Sequence, residues 1–353
     1  MFHLILAACL ASAPDICEPR LLPAGDAPTR KDCEMRAGPI ATDWLARHPG
    51  LIRGGKARCV ETAELPALET VQIAPDIHVH QGAMAQLSPQ NRGRIANLSF
   101  VVGDDRVAVI DAGGSRAEGE ALYAAIRRVT DKPVRYLILT HMHPDHILGA
   151  EVFSEAGAVI LADPRLPDAV AQRASTWMVS IPEQIGAAAF AGTRIATVDH
   201  RIDEPQALDL GGRSLHLVPV PSAHTDTDMI VLDDGSGTLF AGDLIALGLT
   251  PSLDGALGGW LNWLATPIEP MPERVVPGHG PVMDSHNAAV APARDYLMAL
   301  RDATRAALDA GQPLSRAIPA ITAAMQPARG AWADFDATTA RNAAAAYAEL
   351  EWE

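Results

Sequence analysis

The sequence predicts an α/β fold in which strands and helices interleave in packed layers. Two patterns carry that expectation. Through the middle of the chain, short β-branched apolar runs alternate with amphipathic runs of helical period. Several of the apolar runs end directly on a histidine or aspartate, as strands do when they deliver side chains to one edge of a sheet. No repeat of fixed period competes with this reading.

Taken in order, VQIAPDIHVHQG alternates around the turn pair Pro75-Asp76 and reads as a hairpin. ANLSFVVGDD and VAVIDAGG read as two further strands, separated by a turn at Gly103-Asp104-Asp105. GSRAEGEALYAAIRRVTD is an amphipathic helix with Leu122, Ile126 and Val129 on one face. VRYLILT is a strand that runs straight into HMHPDH. HILGAEVFSEAG reads as a helix ending at Gly157, AVILAD as a strand, and residues 164–192 as mainly helical. LDLGGRSLHLVPVPSAHT and DMIVLDDGSGTLFAGDL are strand pairs with glycine turns. GGWLNWLA is a helix and ERVVPGHG a strand into a tight loop. Residues 286–310 and 313–350 are alanine-rich and helical. The expected organisation is a leading segment 1–13, an irregular cysteine-bearing extension 14–66, a catalytic domain 67–285 and a helical C-terminal region 286–353.

The bulk properties exclude some classes. Of 353 residues 48% are hydrophobic, which suits a buried core. The formal net charge is −15 and no Lys/Arg cluster stands out, so the basic face that grips a nucleic-acid backbone is not expected. No segment reaches the roughly 18 apolar residues of a membrane-crossing helix. The opening MFHLILAACLASA is a short apolar run ending in small residues. It reads either as a secretory signal cut after Ala11-Ser12-Ala13, which would make the protein periplasmic or exported, or as a buried N-terminus of a cytoplasmic one. The four cysteines, at 9, 17, 33 and 59, all precede the histidine motifs, which suits a disulfide-stapled extension in an oxidising compartment. If Cys9 leaves with a signal, Cys17–Cys33 is the expected bond; the alternative is that all four are reduced.

The chemistry concentrates in Thr140-His141-Met142-His143-Pro144-Asp145-His146. A metal pair needs several nitrogen and oxygen donors converging from a rigid frame, with positions left open for water and substrate. His141 and His143, two apart as the chain leaves a strand, can point toward one ion. Asp145 and His146, opening the next helix, can turn to another. Three later strands each end on a further donor: Ser222-Ala223-His224-Thr225, Phe240-Ala241-Gly242-Asp243 and Pro277-Gly278-His279-Gly280. His78 and His80 share one strand face without carboxylate company, and His48, His200, His216 and His286 stand alone; all six read as ordinary structural histidines. Ser222 lacks the Gly-x-Ser-x-Gly elbow of a serine nucleophile. In the loop holding Asn91, Arg92 and Arg94, Arg94 is the candidate anchor for an anionic substrate.

These motifs in this order resemble the metallo-β-lactamase superfamily. The resemblance implies a four-layer αβ/βα sandwich with its metals at one edge of the paired sheets. Matched motif by motif, it implies one metal on His141, His143 and His224, and a second on Asp145, His146 and His279, with Asp243 bridging both. Asp111, closing VAVIDAGG, would orient a ligand from behind, and Trp177, Trp260 and Trp263 would wall the pocket. The donors suit zinc, and also iron or manganese. Asp145 and Asp243 would fix a hydroxide that attacks a small ester, thioester, lactone or amide. Two rivals are a thioesterase like glyoxalase II and a mononuclear iron persulfide dioxygenase using only His141, His143, His224 and Asp243. A narrower likeness, in HQGAMAQLSPQNRGRIANLSFVVG, VTDKPVRYLILTHMHPDHILGAEVF, SAHTDTDMIVLDD and LDGALGGWLNWL, is to the quinoprotein relay system zinc metallohydrolases. It implies export and association with a quinoprotein dehydrogenase and its cytochrome.

Overall fold

A computed structural model describes residues 1–330 and 332–353. The chain opens with β1 (Phe2–Leu10), β2 (Ala13–Ala27), α1 (Arg30–Arg47), β3 (Leu51–Arg53) and β4 (Arg58–Glu61). β1 pairs antiparallel with β2, β3 and β4. The extension expected to be irregular is therefore a small sheet carrying a helix, and the opening apolar run is its most connected strand. Cleavage after Ala13 would remove this strand along with Cys9. Residues 4–6 of β1 are all buried, because α1 covers one face and the next domain the other. Burial on both faces erases the alternation by which a strand is recognised.

The disulfides differ from the expected Cys17–Cys33. Cys9 bonds Cys17 and Cys33 bonds Cys59. The β1–β2 hairpin sets Cys9 opposite Cys17 in register, and Cys33 faces the sheet from the buried side of α1, beside β4.

A seven-stranded sheet follows, built from β5 (Val71–Ala74), β6 (Ile77–His80), β7 (Leu98–Val102) and β8 (Val107–Ile110), then α2 (Arg116–Val129) and β9 (Val134–Ile138). Next come α3 (Pro144–Ile147), α4 (Ala150–Glu155), β10 (Val159–Ala162), α5 (Leu166–Ile185), α6 (Ala187–Phe190) and β11 (His200–Arg201), giving the strand order β11-β10-β9-β8-β7-β6-β5. The second sheet is β12 (Gln206–Asp209), β13 (Ser214–Pro219), β14 (Met229–Asp233), β15 (Thr238–Ala246) and, after α7 (Leu257–Ala265), β16 (Arg274–His279), paired in that order. α8 (His286–Asp309), α9 (Leu314–Ala324) and α10 (Phe335–Leu350) close the chain.

Three apolar clusters define the layers. Val101, Ala108, Ile110 and Ile138 of the first sheet pack against Leu215, Leu217, Val231 and Phe240 of the second. Their alternation partners Phe100, Val107, Val109 and Leu137 face α2, α4 and α5 instead. The outer face of the second sheet carries α7 to α10 around Trp260, Tyr296 and Leu297. The result is helix, sheet, sheet, helix, the four-layer sandwich the resemblance implied.

Two local expectations need revision. Val129 is 44% exposed, because it sits in the last turn of α2 beyond the reach of the sheet. The run after His146 is two short helices, not one, broken at Gly149. A Cβ at 149 would overlap the Ala112 carbonyl, and Gly119 of α2 packs against the same spot. That close approach fits only glycine on each side.

The N-terminal sheet is joined to the catalytic domain by a buried ion network. Arg116 is 1% exposed and donates to Glu120 at 2.8 Å, to Glu155 at 2.7 Å, to Glu151 at 3.3 Å and to the Leu21 carbonyl at 3.0 Å. Trp44 of α1 donates to Glu155 and His48 meets Glu151, which completes the link. The cluster of His48, Glu151 and Glu155 is thus occupied by arginine, with Arg194 adding a second cation at 3.2 Å.

Candidate metal centre

The seven donors named from the sequence converge at one end of the two sheets. His141 and His143 leave β9, and Asp145 and His146 lie in the short α3 that follows. His224 lies in the β13–β14 loop, Asp243 within β15, and His279 ends β16. The two sheets are joined here by the Met229 N–H, which donates to the Thr140 carbonyl at 2.8 Å.

The ligand atoms fall into two groups that share Asp243. His143 Nδ1 lies 3.2 Å from His141 Nε2 and 3.0 Å from His224 Nε2. Asp243 Oδ2 is 3.7 Å from His141 Nε2 and 3.6 Å from His224 Nε2. The same Oδ2 is 3.3 Å from His279 Nε2, and Asp243 Oδ1 is 3.3 Å from His146 Nε2. Asp145 Oδ2 is 3.3 Å from His279 Nε2 and 3.7 Å from His146 Nε2. Four donors at ~2.0–2.1 Å around one tetrahedral ion stand about 3.3 Å apart. The spacing therefore fits two adjacent ions. His146 Nε2 and Asp243 Oδ1 are buried with no hydrogen-bond partner among the described residues, an arrangement a cation resolves.

The backs of the rings are held as carefully as their fronts. Asp111 Oδ2 is 2.7 Å from His146 Nδ1 and also accepts from Thr140 Oγ1, while Asp111 Oδ1 accepts the Thr140 N–H. Thr140 Oγ1 is 3.0 Å from His141 Nδ1. His279 Nδ1 faces the Ile95 carbonyl at 2.8 Å, and His143 Nε2 faces Asp254 Oδ2 at 3.2 Å. Such partners set which ring nitrogen is free to bind and hold the ring's angle. Asp111 adopts a left-handed φ of 60°, a conformation costly for a residue other than glycine. Gly278 is required because a Cβ there would overlap the Asp243 carboxylate.

The electrostatics divide the two groups. Burial pushes the His141 ring well below its usual value, and burial together with the neighbouring His143 takes His224 down to about 3. Burial also opposes charge on His146 and His279, yet the carboxylates around them win. Asp243, Asp111 and Asp145 hold His146 well above the usual histidine range, and Asp243 and Asp145 raise His279 to about 10. The carboxylates are stabilised in turn: despite burial, His146 and His279 bring Asp145 to about 2.

Residues the sequence did not single out complete the frame. Asn97 accepts the Gly82 N–H and donates to the carbonyls of Pro277 and Gly280, which ties the His279 loop to the start of β7. Asp254 joins His143 to Arg173, whose guanidinium is 3.0 Å away. Its loop is clamped by Asn342 of α10, which accepts the Leu253 N–H and donates to the Pro251 carbonyl. The C-terminal helices thus buttress a loop of the site. Asp254 lies in the stretch LDGALGGWLNWL without having been marked as a site residue, and Asn342 lies in no motif.

The candidate substrate residues lie at several places around the centre. Trp260 is fully buried, edge-on to His224 at 5.1 Å with its Nε1 on the Leu244 carbonyl, so it backs the ligand ring. Trp177 and Trp263 are half-buried and pack into the outer helical layers, because helical period turns those faces to the sheets. Arg94 lines a cavity at the boundary with the N-terminal sheet. His78 stacks on Phe100 within an interior strand, β6, with β5 as the edge. Ser222 is hydrogen-bonded to Asp226.

Comparison with known proteins agrees with this architecture. A 45-residue stretch, 13% of the chain, is 38% identical to a linear primary-alkylsulfatase of Pseudomonas sp. (strain ATCC 19151), and spans only 8% of that protein. Among solved structures, a metallo-beta-lactamase from Pontibacter korlensis superposes with a TM-score of 0.53 at 20% identity, covering 65% of this chain and 99% of that one. A stereoselective inverting sec-alkylsulfatase from Pseudomonas sp. superposes with a TM-score of 0.58 at 16% identity, over 80% of this chain and 50% of the other. The family model described as the metallo-beta-lactamase superfamily matches residues 91–279, more than half of the chain, and every one of the seven converging donors lies within the match. The chain belongs to the metallo-beta-lactamase superfamily.

Proposed function

We propose that the enzyme uses two divalent ions, zinc by preference, to hydrolyse a small ester, thioester, lactone or amide. The observation that carries this reading is the position of Asp243 Oδ2, within 3.7 Å of ligand nitrogens from both groups. His141, His143 and His224 would hold one ion, Asp145, His146 and His279 the other, with Asp243 between them. When bound, such a pair lowers the pKa of a water to ~7 and polarises the scissile carbonyl. Asp145 and Asp243 stay ionised through the working range, so each is available to orient a water nucleophile by accepting its proton in a hydrogen bond. Asp111 and Thr140 keep the rings from rotating as charge develops.

A mononuclear iron dioxygenase needs only His141, His143, His224 and Asp243, and leaves unexplained the second group of Asp145, His146 and His279 within ligand distance of one another. A second reading of the substrate, a sulfate ester, is favoured by the stretch that is 38% identical to an alkylsulfatase. Association with a quinoprotein dehydrogenase and its cytochrome rests on the sequence resemblance. Export to the periplasm is supported by the two disulfides of the N-terminal sheet.

The deciding experiment is metal content per chain in protein purified without chelator, followed by parallel assays on aryl esters, thioesters, lactones and alkyl sulfates. About two zinc ions per chain, falling below one in Asp243→Ala, together with carboxyl ester or thioester turnover, supports the proposal. One iron per chain overturns it, and turnover of alkyl sulfates alone replaces the substrate class.

A further inference from the structure

The N-terminal sheet does not close completely on α2. Between them lies a cavity of about 500 Å³, a volume typical of small-molecule sites. Leu21 and Val60 from the sheet and Ala121 and Ala124 from α2 give it an apolar body, and none of the seven metal-site donors lines it. Its polar wall is unusual for a chain of net charge −15, because four arginines meet there: Arg20, Arg58, Arg92 and Arg94.

Three glutamates share this wall, and each has a partner already. Glu120 is held by Arg116 at 2.8 Å and Arg20 at 3.3 Å. Glu18 stands 3.8 Å from Arg20 and 3.6 Å from Arg92, and Glu64 accepts the Glu61 N–H. The side chains of Arg58 and Arg94 make no hydrogen bond or ion pair among the described residues. In addition, the Nε groups of Arg20 and Arg92 are buried without an acceptor, and Arg20 as a whole is 1% exposed. Buried donors without acceptors are rare in native proteins because each forfeits its hydration.

We propose that this cavity is a second binding site, for a small molecule with an apolar body and a carboxylate head. The head would accept from the unpartnered guanidinium donors, a planar oxyanion matching the planar fork. The body would lie along the alanines of α2. Arg92 and Arg94 belong to the loop whose next residue, Ile95, accepts from His279 Nδ1 at 2.8 Å. An occupant therefore sits one loop away from the metal centre, on its outer side.

The test is titration calorimetry of the full-length, metal-loaded protein with octanoate, with octan-1-ol as the uncharged control. One octanoate per chain with Kd below about 1 mM, weakened at least about tenfold in Arg58→Gln/Arg94→Gln, and no binding of the alcohol, is the expected result. Arg58 is exposed and Arg94 half-buried, and neither side chain makes a hydrogen bond or ion pair among the described residues, so the variant should melt close to the wild type. Arg58→Gln alone serves should the pair not fold. Absence of saturable binding, or equal binding by wild type and the arginine variants, overturns the proposal. So does loss of binding in Asp243→Ala with retention in the arginine variants, which would place octanoate at the metal centre.

Discussion

Asp111 Oδ2 lies 2.7 Å from His146 Nδ1 and 2.8 Å from Thr140 Oγ1, so one carboxylate steers rings in both ligand groups. It does so from a left-handed backbone conformation that the hydrogen bonds at Thr140 hold in place. Asp111→Ala should lower zinc affinity by about 10- to 100-fold, the usual effect of removing a partner behind a ligand histidine. Asp111→Asn should fall between, because asparagine tolerates the backbone angle and keeps an acceptor. Competition with a chromophoric chelator measures both. Wild-type affinity in Asp111→Ala would show that the rings need no such support.

The two ligand groups should differ in how binding depends on pH. In the metal-free protein His141 and His224 are neutral at pH 7, whereas His279, raised to about 10, and His146 carry protons. An ion entering the second group must expel those protons, so its affinity should climb with pH across the neutral range. His141 and His224, already neutral, should release no protons when an ion enters the first group. Zinc titrations in buffers of different ionisation enthalpy count the protons released at each step. Equal release at both steps would refute the assignment.

Arg116 anchors the N-terminal sheet through carboxylates on α2 and α4. Arg116→Ala would leave Glu155 buried without a counter-charge and Glu120 with Arg20 alone, and should destabilise the protein by about 3–5 kcal/mol. Urea denaturation measures the loss. A change under about 1 kcal/mol would mean that solvent reaches the network.

Burial raises the Glu118 carboxyl to about 8, although the Gly114 N–H donating to it pulls the other way. A carboxyl whose folded pKa exceeds its unfolded value binds more protons when folded. Its contribution is complete below about pH 4.5 and is lost as pH rises through about 8. Wild type should therefore lose stability relative to Glu118→Gln over that interval. Melting temperatures of the two proteins compared at steps of pH give the answer, and parallel curves would show that Glu118 is ionised when folded.

The donors of the metal centre were legible because each one is local. His141 to His146 form a contiguous run, and His224, Asp243 and His279 each follow an apolar strand that can be recognised without knowing its partners. In the structure only His279 ends its strand; Asp243 sits inside β15 and His224 in the loop after β13, yet the order of the strands brings all three to one edge. The role of Asp254 was not legible, since 111 residues separate it from His143, and its N–H on the His224 carbonyl together with the Asn342 clamp on its loop brings the two together.

The N-terminal sheet shows the same division. Four cysteines allow three pairings, and composition chooses none of them; hairpin register and the docking of α1 do. β1 could pass for an export segment because, covered on both faces, it shows no alternation to mark it as a strand. The sequence by itself determined the fold class, the family and the donors, all of which follow from short-range pattern. The disulfides, the residues behind the ligands and the arginine-lined cavity were decided by tertiary structure, because each depends on surfaces that meet only after distant segments pack.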